Sequence, residues 1–211
     1  MAELKIGRMT IGKMQTNMYF VYREGESTVI CFDPAAQGEY IHQKLKEKGF
    51  EVEAILLTHG HFDHIGGADA LRKASGAKIY AMEDEAVLLE DPWINVSAQM
   101  KEPLTLQADI FMHDGEELDF SGKKLKVIAT PGHTAGGASF YFEEAGFLIC
   151  GDTIFAESIG RTDFPTGKYS VLIDSVREKL FVLPEETNIY PGHGPASTIG
   201  HEKKYNPFFE E

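Results

Sequence analysis

The segment LLTHGHFDHIGG (residues 56–67) places His59, His61, Asp63 and His64 within six consecutive positions. Imidazole and carboxylate groups at this density are costly to bury unless they are paired or hold a cation. Yet an apolar run, AILL, drives the chain straight into them. In an extended segment residues i and i+2 point to the same side, so His59 and His61 can meet one ion. Asp63 and His64 follow as the chain turns and can project toward a second ion. One tetrahedral ion is poorly served by residues this close in sequence, because the backbone cannot wrap them round it without strain. The cluster therefore predicts two divalent metal ions.

The missing donors are expected at other strand ends. His133 follows an apolar strand in ATPGHT, Asp152 follows another in LICGDT, and His193 a third in IYPGHG. The repeated Pro-Gly before histidine matters, because glycine lets the backbone turn sharply and approach a metal closely. Asp152 has two oxygens and can bridge ions that two-metal sites hold about 3.5–4 Å apart. Imidazole and carboxylate without thiolate favour zinc, with iron or manganese as alternatives. A lone loop histidine is usually structural, but core packing explains this whole set poorly. His42, His113 and His201 lie outside these loops and read as surface or hydrogen-bonding residues. Thr58, Thr134 and Thr153 each adjoin a donor and either orient it or cap a strand end.

These groups need a scaffold of strands that end together. TNMYFVYREGESTVICFDP reads as a hairpin, EYIHQKLKEKGF as a helix with Ile41 and Leu45 inward and Gly49 as its cap, and VEAILLT as a strand covered on both faces. GADALRKASG is a helix, AKIYAM a strand, and EDEAVLLED a helical stretch stopped by Pro92. Residues 92–115 carry no clear signal. KKLKVIATPGHT is a strand and turn, and ASFYFEEAGFLICGDT a second hairpin. YSVLIDSVREKLFVL is a helix burying Leu172, Val176 and Leu180, and TNIYPGHG is a last strand and turn. Each hairpin runs from an aromatic strand through an acidic turn to an apolar strand, Cys and Asp, which suggests a weak internal two-fold. Strands mixed with helices predict an α/β sandwich, sheets inside and helices outside, as one domain over residues 1–211.

Composition excludes several classes. The 211 residues are 43% hydrophobic and 25% charged, an ordinary globular balance. Lys and Arg number 20 against 33 Asp and Glu, a formal net charge of −13. Such a surface repels phosphate backbones, so no nucleic-acid partner is expected. The N-terminal MAELKIGRMT resembles neither a signal peptide nor an anchor, and no run approaches the roughly 18 apolar residues of a spanning helix. No membrane association and a cytoplasmic location are therefore expected. Cys31 and Cys150 end apolar runs and read as buried thiols; they lack the paired spacing of a thiolate zinc site.

THGHFDH, PGHT, GDT and PGHGP, in this order, resemble the metallo-β-lactamase superfamily, whose first motif is HxHxDH. The stretch from GDTIFAESIGRTDFPTG to the C-terminal GHEKKYNPF is similar to the glyoxalase II-like hydrolases, particularly their short single-domain forms. The resemblance implies a four-layer αββα sandwich with the site at one sheet edge. It implies His59, His61 and His133 on one metal, Asp63, His64 and His193 on the other, and Asp152 bridging. It implies hydrolysis of a small-molecule acyl-thiol, such as S-lactoylglutathione, by a water acidified between the ions, with Asp63 helping to orient it. Arg161 and Lys168 are candidates to receive a substrate carboxylate, and Phe155 and Tyr169 to line a pocket or pack in the core. The chain departs from full-length glyoxalase II, which adds a helical C-terminal extension and a basic, aromatic glutathione-contact pattern. The alternatives are a mononuclear-iron persulfide dioxygenase, which uses two His and one Asp, and a lactone or β-lactam hydrolase.

Overall fold

Aromatic and β-branched residues with few polar interruptions build two six-stranded sheets that face each other. The computed structural model describes residues 2–210. The first sheet runs in spatial order β1 (Leu4–Ile11), β2 (Thr16–Arg23), β3 (Thr28–Phe32), β4 (Glu51–Leu56), β5 (Lys78–Met82) and β6 (Ile110–Met112). Its first three strands are antiparallel and the rest parallel. The parallel connections carry α1 (Gly38–Glu47), the short α2 (Phe62–Ile65), α3 (Ala68–Ser75), and a single turn at Glu83–Glu85 running into α4 (Ala86–Glu90).

The second sheet contains β7 (Glu117–Phe120), β8 (Lys123–Ala129), β9 (Ala138–Phe142) and β10 (Phe147–Gly151) as an antiparallel meander. A small hairpin, β11 (Ile154–Phe155) and β12 (Ser158–Ile159), precedes α5 (Tyr169–Ser175). Then β13 (Asn188–Pro191) lies parallel to β10, followed by β14 (Ser197–Thr198) and α6 (Ile199–Tyr205).

Side-chain alternation sorts the strands into layers. In β3, Ile30 and Phe32 face the second sheet, while Val29 and Cys31 face Ile41 and Leu45 of α1 and Leu71 of α3. In β9 and β10, Phe140, Phe142, Phe147 and Ile149 face the first sheet, while Tyr141, Leu148 and Cys150 face Ile173, Val176 and Ile199. Strands covered on both faces need no polar alternation, and the result is the expected αββα sandwich.

Three expectations change. Residues 4–11, read only for targeting signals, form a full edge strand paired with β2. The silent stretch 92–115 closes the first sheet with β6 after an irregular loop. The helix beginning at Tyr169 becomes a wider π-type turn at Val176–Leu180. Cys31 and Cys150 are free and buried on opposite outer layers. Burial pushes both thiols up, which makes them inert. Among the described residues no helix is long and apolar enough to cross a membrane.

Candidate metal centre

The strand ends that carry the donors are tied across the two sheets. Ala138 N donates to Thr58 O at 2.8 Å, joining the start of β9 to the loop after β4. Asn17 N donates to Gly192 O at 2.7 Å, and Gly192 N to Gly151 O at 2.8 Å. Asn17 Nδ2 also reaches Pro191 O and Gly194 O, at 3.0 and 2.9 Å. These bonds bring the loops after β4, β8, β10 and β13 to one edge.

All the sequence-predicted donors meet there. One potential ligand atom from each of His59, His61 and His133 lies within 4.8 Å of the others, and the same holds for Asp63, His64 and His193. His61 Nδ1 is 2.9 Å from His133 Nε2. Asp152 stands between the two sets: Oδ1 is 3.4 Å from His64 Nε2, and Oδ2 is 3.8 Å from His133 Nε2 and 3.6 Å from His193 Nε2. His59 and His61 follow β4 in a loop rather than ending the strand, and Asp63 and His64 lie on α2.

The electrostatics fit cations. Burial, reinforced by neighbouring imidazoles, holds His59 well below its ordinary value and His61 at about 3. Burial opposes a charged His64, but the Asp152, Asp63 and Asp33 carboxylates overcome it and raise its pKa well above the usual range. Burial likewise opposes ionised Asp63 and Asp152, and His64 turns both below the usual carboxylate range. The buried atoms His59 Nε2, His64 Nε2 and Asp152 Oδ1 have no hydrogen-bond partner. Polar atoms buried this way are rare without a ligand. Imidazoles gathered round shared carboxylates are the donor set of a divalent transition ion, so the residues present fit the expected metals.

A third set, Asp33, His59 and His64, is equally compact. Asp33, however, is already used: Oδ1 accepts from Thr58 N at 2.8 Å, and Oδ2 from Thr58 Oγ1 at 2.6 Å with His64 Nδ1 2.9 Å away. Its place is behind the donors, fixing the His64 ring so that Nε2 is left for an ion. Sequence reading missed it, although the likeness of CFDP to CGDT pointed there.

Of the three threonines, only Thr58 touches a donor, through His59 Nδ1 at 3.1 Å. Thr134 binds Glu85 and Thr153 binds Thr130, so neither holds an imidazole or carboxylate of the set. Both Pro-Gly turns need glycine. Gly132 needs its φ of 130° and also space, since a Cβ there would fall 2.3 Å from Leu172 N. Gly192 needs space, since a Cβ there would fall 2.3 Å from Asp152 Oδ1 and 2.5 Å from His64 Cε1.

Arg161 reaches the centre through its carbonyl, which lies 2.7 Å from His133 Nδ1. Its guanidinium forms two 2.7 Å bonds to Asp163 and lies 3.8 Å over the Phe164 ring, which packs on His61. Lys168 starts α5, its N–H donating to Gly132 O at 2.8 Å. Phe155 stands beside His193 at 6.4 Å between ring centres, and Tyr169 is exposed.

The sequence profile of the metallo-beta-lactamase superfamily matches residues 11–193. The chain is 38% identical to the probable metallo-hydrolase YqgX of Bacillus subtilis over 97% of each protein. It is 33% identical to the hydroxyacylglutathione hydrolase GloC of Haemophilus influenzae, over 97% of this chain and 98% of that protein. The crystal structure of BLEG-1 B3 metallo-beta-lactamase superimposes with a TM-score of 0.93 at 37% identity, covering 98% of this chain and all of that one. Fold, donor set and these likenesses agree: the chain belongs to the metallo-beta-lactamase superfamily, among its glyoxalase II-like metallo-hydrolases.

Proposed function

We propose that this protein is a two-metal hydrolase of small-molecule thioesters. The observation that carries the reading is the pair of complete donor sets flanking Asp152. His59, His61 and His133 would hold one divalent ion, Asp63, His64 and His193 the other, and Asp152 would serve both. Zinc is the favoured ion for these ligands, ahead of iron or manganese. When bound, such ions supply an acidified water at neutral pH and polarise the acyl oxygen.

The chain's own residues prepare that chemistry. Asp33 fixes His64 through Nδ1, and Arg161 O fixes His133 through Nδ1, so both rings present Nε2 inward. Thr16 Oγ1 donates to Asp63 Oδ2 at 3.2 Å. With Oδ2 so held, Asp63 Oδ1 would help to orient the attacking water. A thiolate leaves readily, so no separate general acid is required. Arg161 is committed to Asp163, which leaves Lys168 as the stronger candidate for a substrate carboxylate.

The test is turnover across thioesters of glutathione, coenzyme A and other low-molecular-weight thiols, before and after chelation. Hydrolysis of at least one, lost with chelator and restored by metal, supports the reading. Failure across the panel with the metals loaded would end it. A second reading, β-lactam hydrolysis, draws on the likeness to BLEG-1, and β-lactams belong in the same panel. The full second donor set weighs against a one-iron oxygenase; oxygen uptake on a persulfide would reverse that judgement.

A further inference from the structure

Glu85 belongs to neither donor set, yet it is buried beside one of them. Oε2 accepts from Gly60 N at 2.9 Å, and Oε1 accepts from Thr134 Oγ1 at 2.5 Å and Gly136 N at 2.8 Å. Gly60 separates His59 from His61, and Thr134 follows His133. One carboxylate thus gathers the two loops that carry His59, His61 and His133, one loop from each sheet. The approach is close. A Cβ on Gly60 would lie 2.6 Å from Leu88 Cδ2, and one on Gly136 would lie 2.6 Å from Glu85 N. The segment bearing Glu85 is itself fixed, with Leu88 and Leu89 buried and Leu106 N donating to Leu89 O at 2.9 Å. The Asp63, His64 and His193 set has other supports, Thr16 and Asp33.

We propose that Glu85 is a positioning residue for the ion held by His59, His61 and His133, setting their spacing by clasping both loops. The inference rests on the two-ion reading above. A buried carboxylate is costly, and loop closure alone can be achieved by apolar packing. What a shared acceptor adds is a fixed distance between loops of different sheets. Loss of such a support behind a ligand weakens metal binding about 10–100-fold. Here the loss should fall on one ion and spare the other.

The test is cobalt(II) titration of the metal-free protein, read by absorption and by competition with a chromophoric chelator. The proteins are the parent, Glu85→Gln and Thr134→Val, with His133→Ala and His193→Ala as references for loss of either site. Metal-free unfolding midpoints are measured alongside. Glu85→Gln and Thr134→Val should hold one cobalt as the parent does and the other about 10–100-fold more weakly. The spectrum that remains should match His133→Ala, and cooperative metal-free unfolding should show that each variant is folded. Parent-like affinity at both sites, equal weakening of both, or a spectrum matching His193→Ala would overturn the proposal. If Glu85→Gln does not fold, Thr134→Val removes one of the bonds and gives the same readout. A parent that binds no cobalt would instead overturn the two-ion reading itself.

Discussion

The two sheets share a plan and differ in what their strand ends present. In each, a hairpin leads through a crossover helix to a parallel strand: β2–β3–α1–β4 in one, β9–β10–α5–β13 in the other. Asp33 leaves β3 as Asp152 leaves β10, each two residues after a cysteine, and a donor histidine follows each parallel strand. Yet Asp33 turns onto Thr58 and His64 as an anchor, while Asp152 stands among the donors. The left-handed kink, φ 49° in both halves, falls on Asp33 itself in the first and on Gly151 in the second. Moving that kink by one residue redirects the carboxylate. Equivalent hairpins thus place a carboxylate among the donors in one half and behind them in the other.

Exchanging the roles of the two aspartates is the largest break. Asp152→Ala should lower thioester turnover by about 10³-fold or more, the scale of losing a principal electrostatic contributor. Asp33→Asn should cost about 10–100-fold, chiefly in metal affinity. Equal losses would mean that the halves do not differ as described.

The glycines beside the two strand ends sharpen it next. Gly192→Ala should destabilise the metal-free chain by about 1–3 kcal/mol through overpacking and abolish uptake of the second ion, because its Cβ collides with Asp152 and His64. Gly194 has open space and a φ of 75°, so Gly194→Ala should cost only about 1 kcal/mol of backbone strain and leave uptake intact. Chemical denaturation and metal content separate the two.

Two pH effects distinguish the donor sets. His64 and His193 are raised by the carboxylates around them against the opposing effect of burial, His64 well above its ordinary value. Ion uptake should therefore release protons from that set and weaken as pH falls, which calorimetry in buffers of different ionisation enthalpy reads directly. Behind the other set, burial raises Glu85 from 4.5 to about 7. A carboxyl raised on folding gives its full stabilisation below 4.5 and loses it as pH climbs through about 7. The metal-free protein should lose on the order of 2–3 kcal/mol across that window, and Glu85→Gln should flatten the loss. The smallest effect is Arg161→Ala, which breaks an exposed pair and should change stability by less than about 1 kcal/mol.

Most of the centre was legible because each donor follows an apolar run, and a titratable group there has few structural uses. The paired hairpins showed as repeated patterns of aromatic strand, acidic turn and cysteine. Glu85 was invisible because it sits in the acidic run EDE, and only the approach of Gly60 and Gly136 separates it from Glu83 and Asp84. The roles of Thr134 and Thr153 could not be read from adjacency, since a residue next to a donor points wherever its loop turns. Residues 92–109 gave no period because they form no regular element before β6.

Elemental analysis of transition metals in the protein as purified, set against Asp152→Ala, tests the central claim most directly. The two-set centre predicts about two ions per parent chain and a clear deficit in the variant. A parent carrying none, or a variant that retains the parent's full complement, would contradict it.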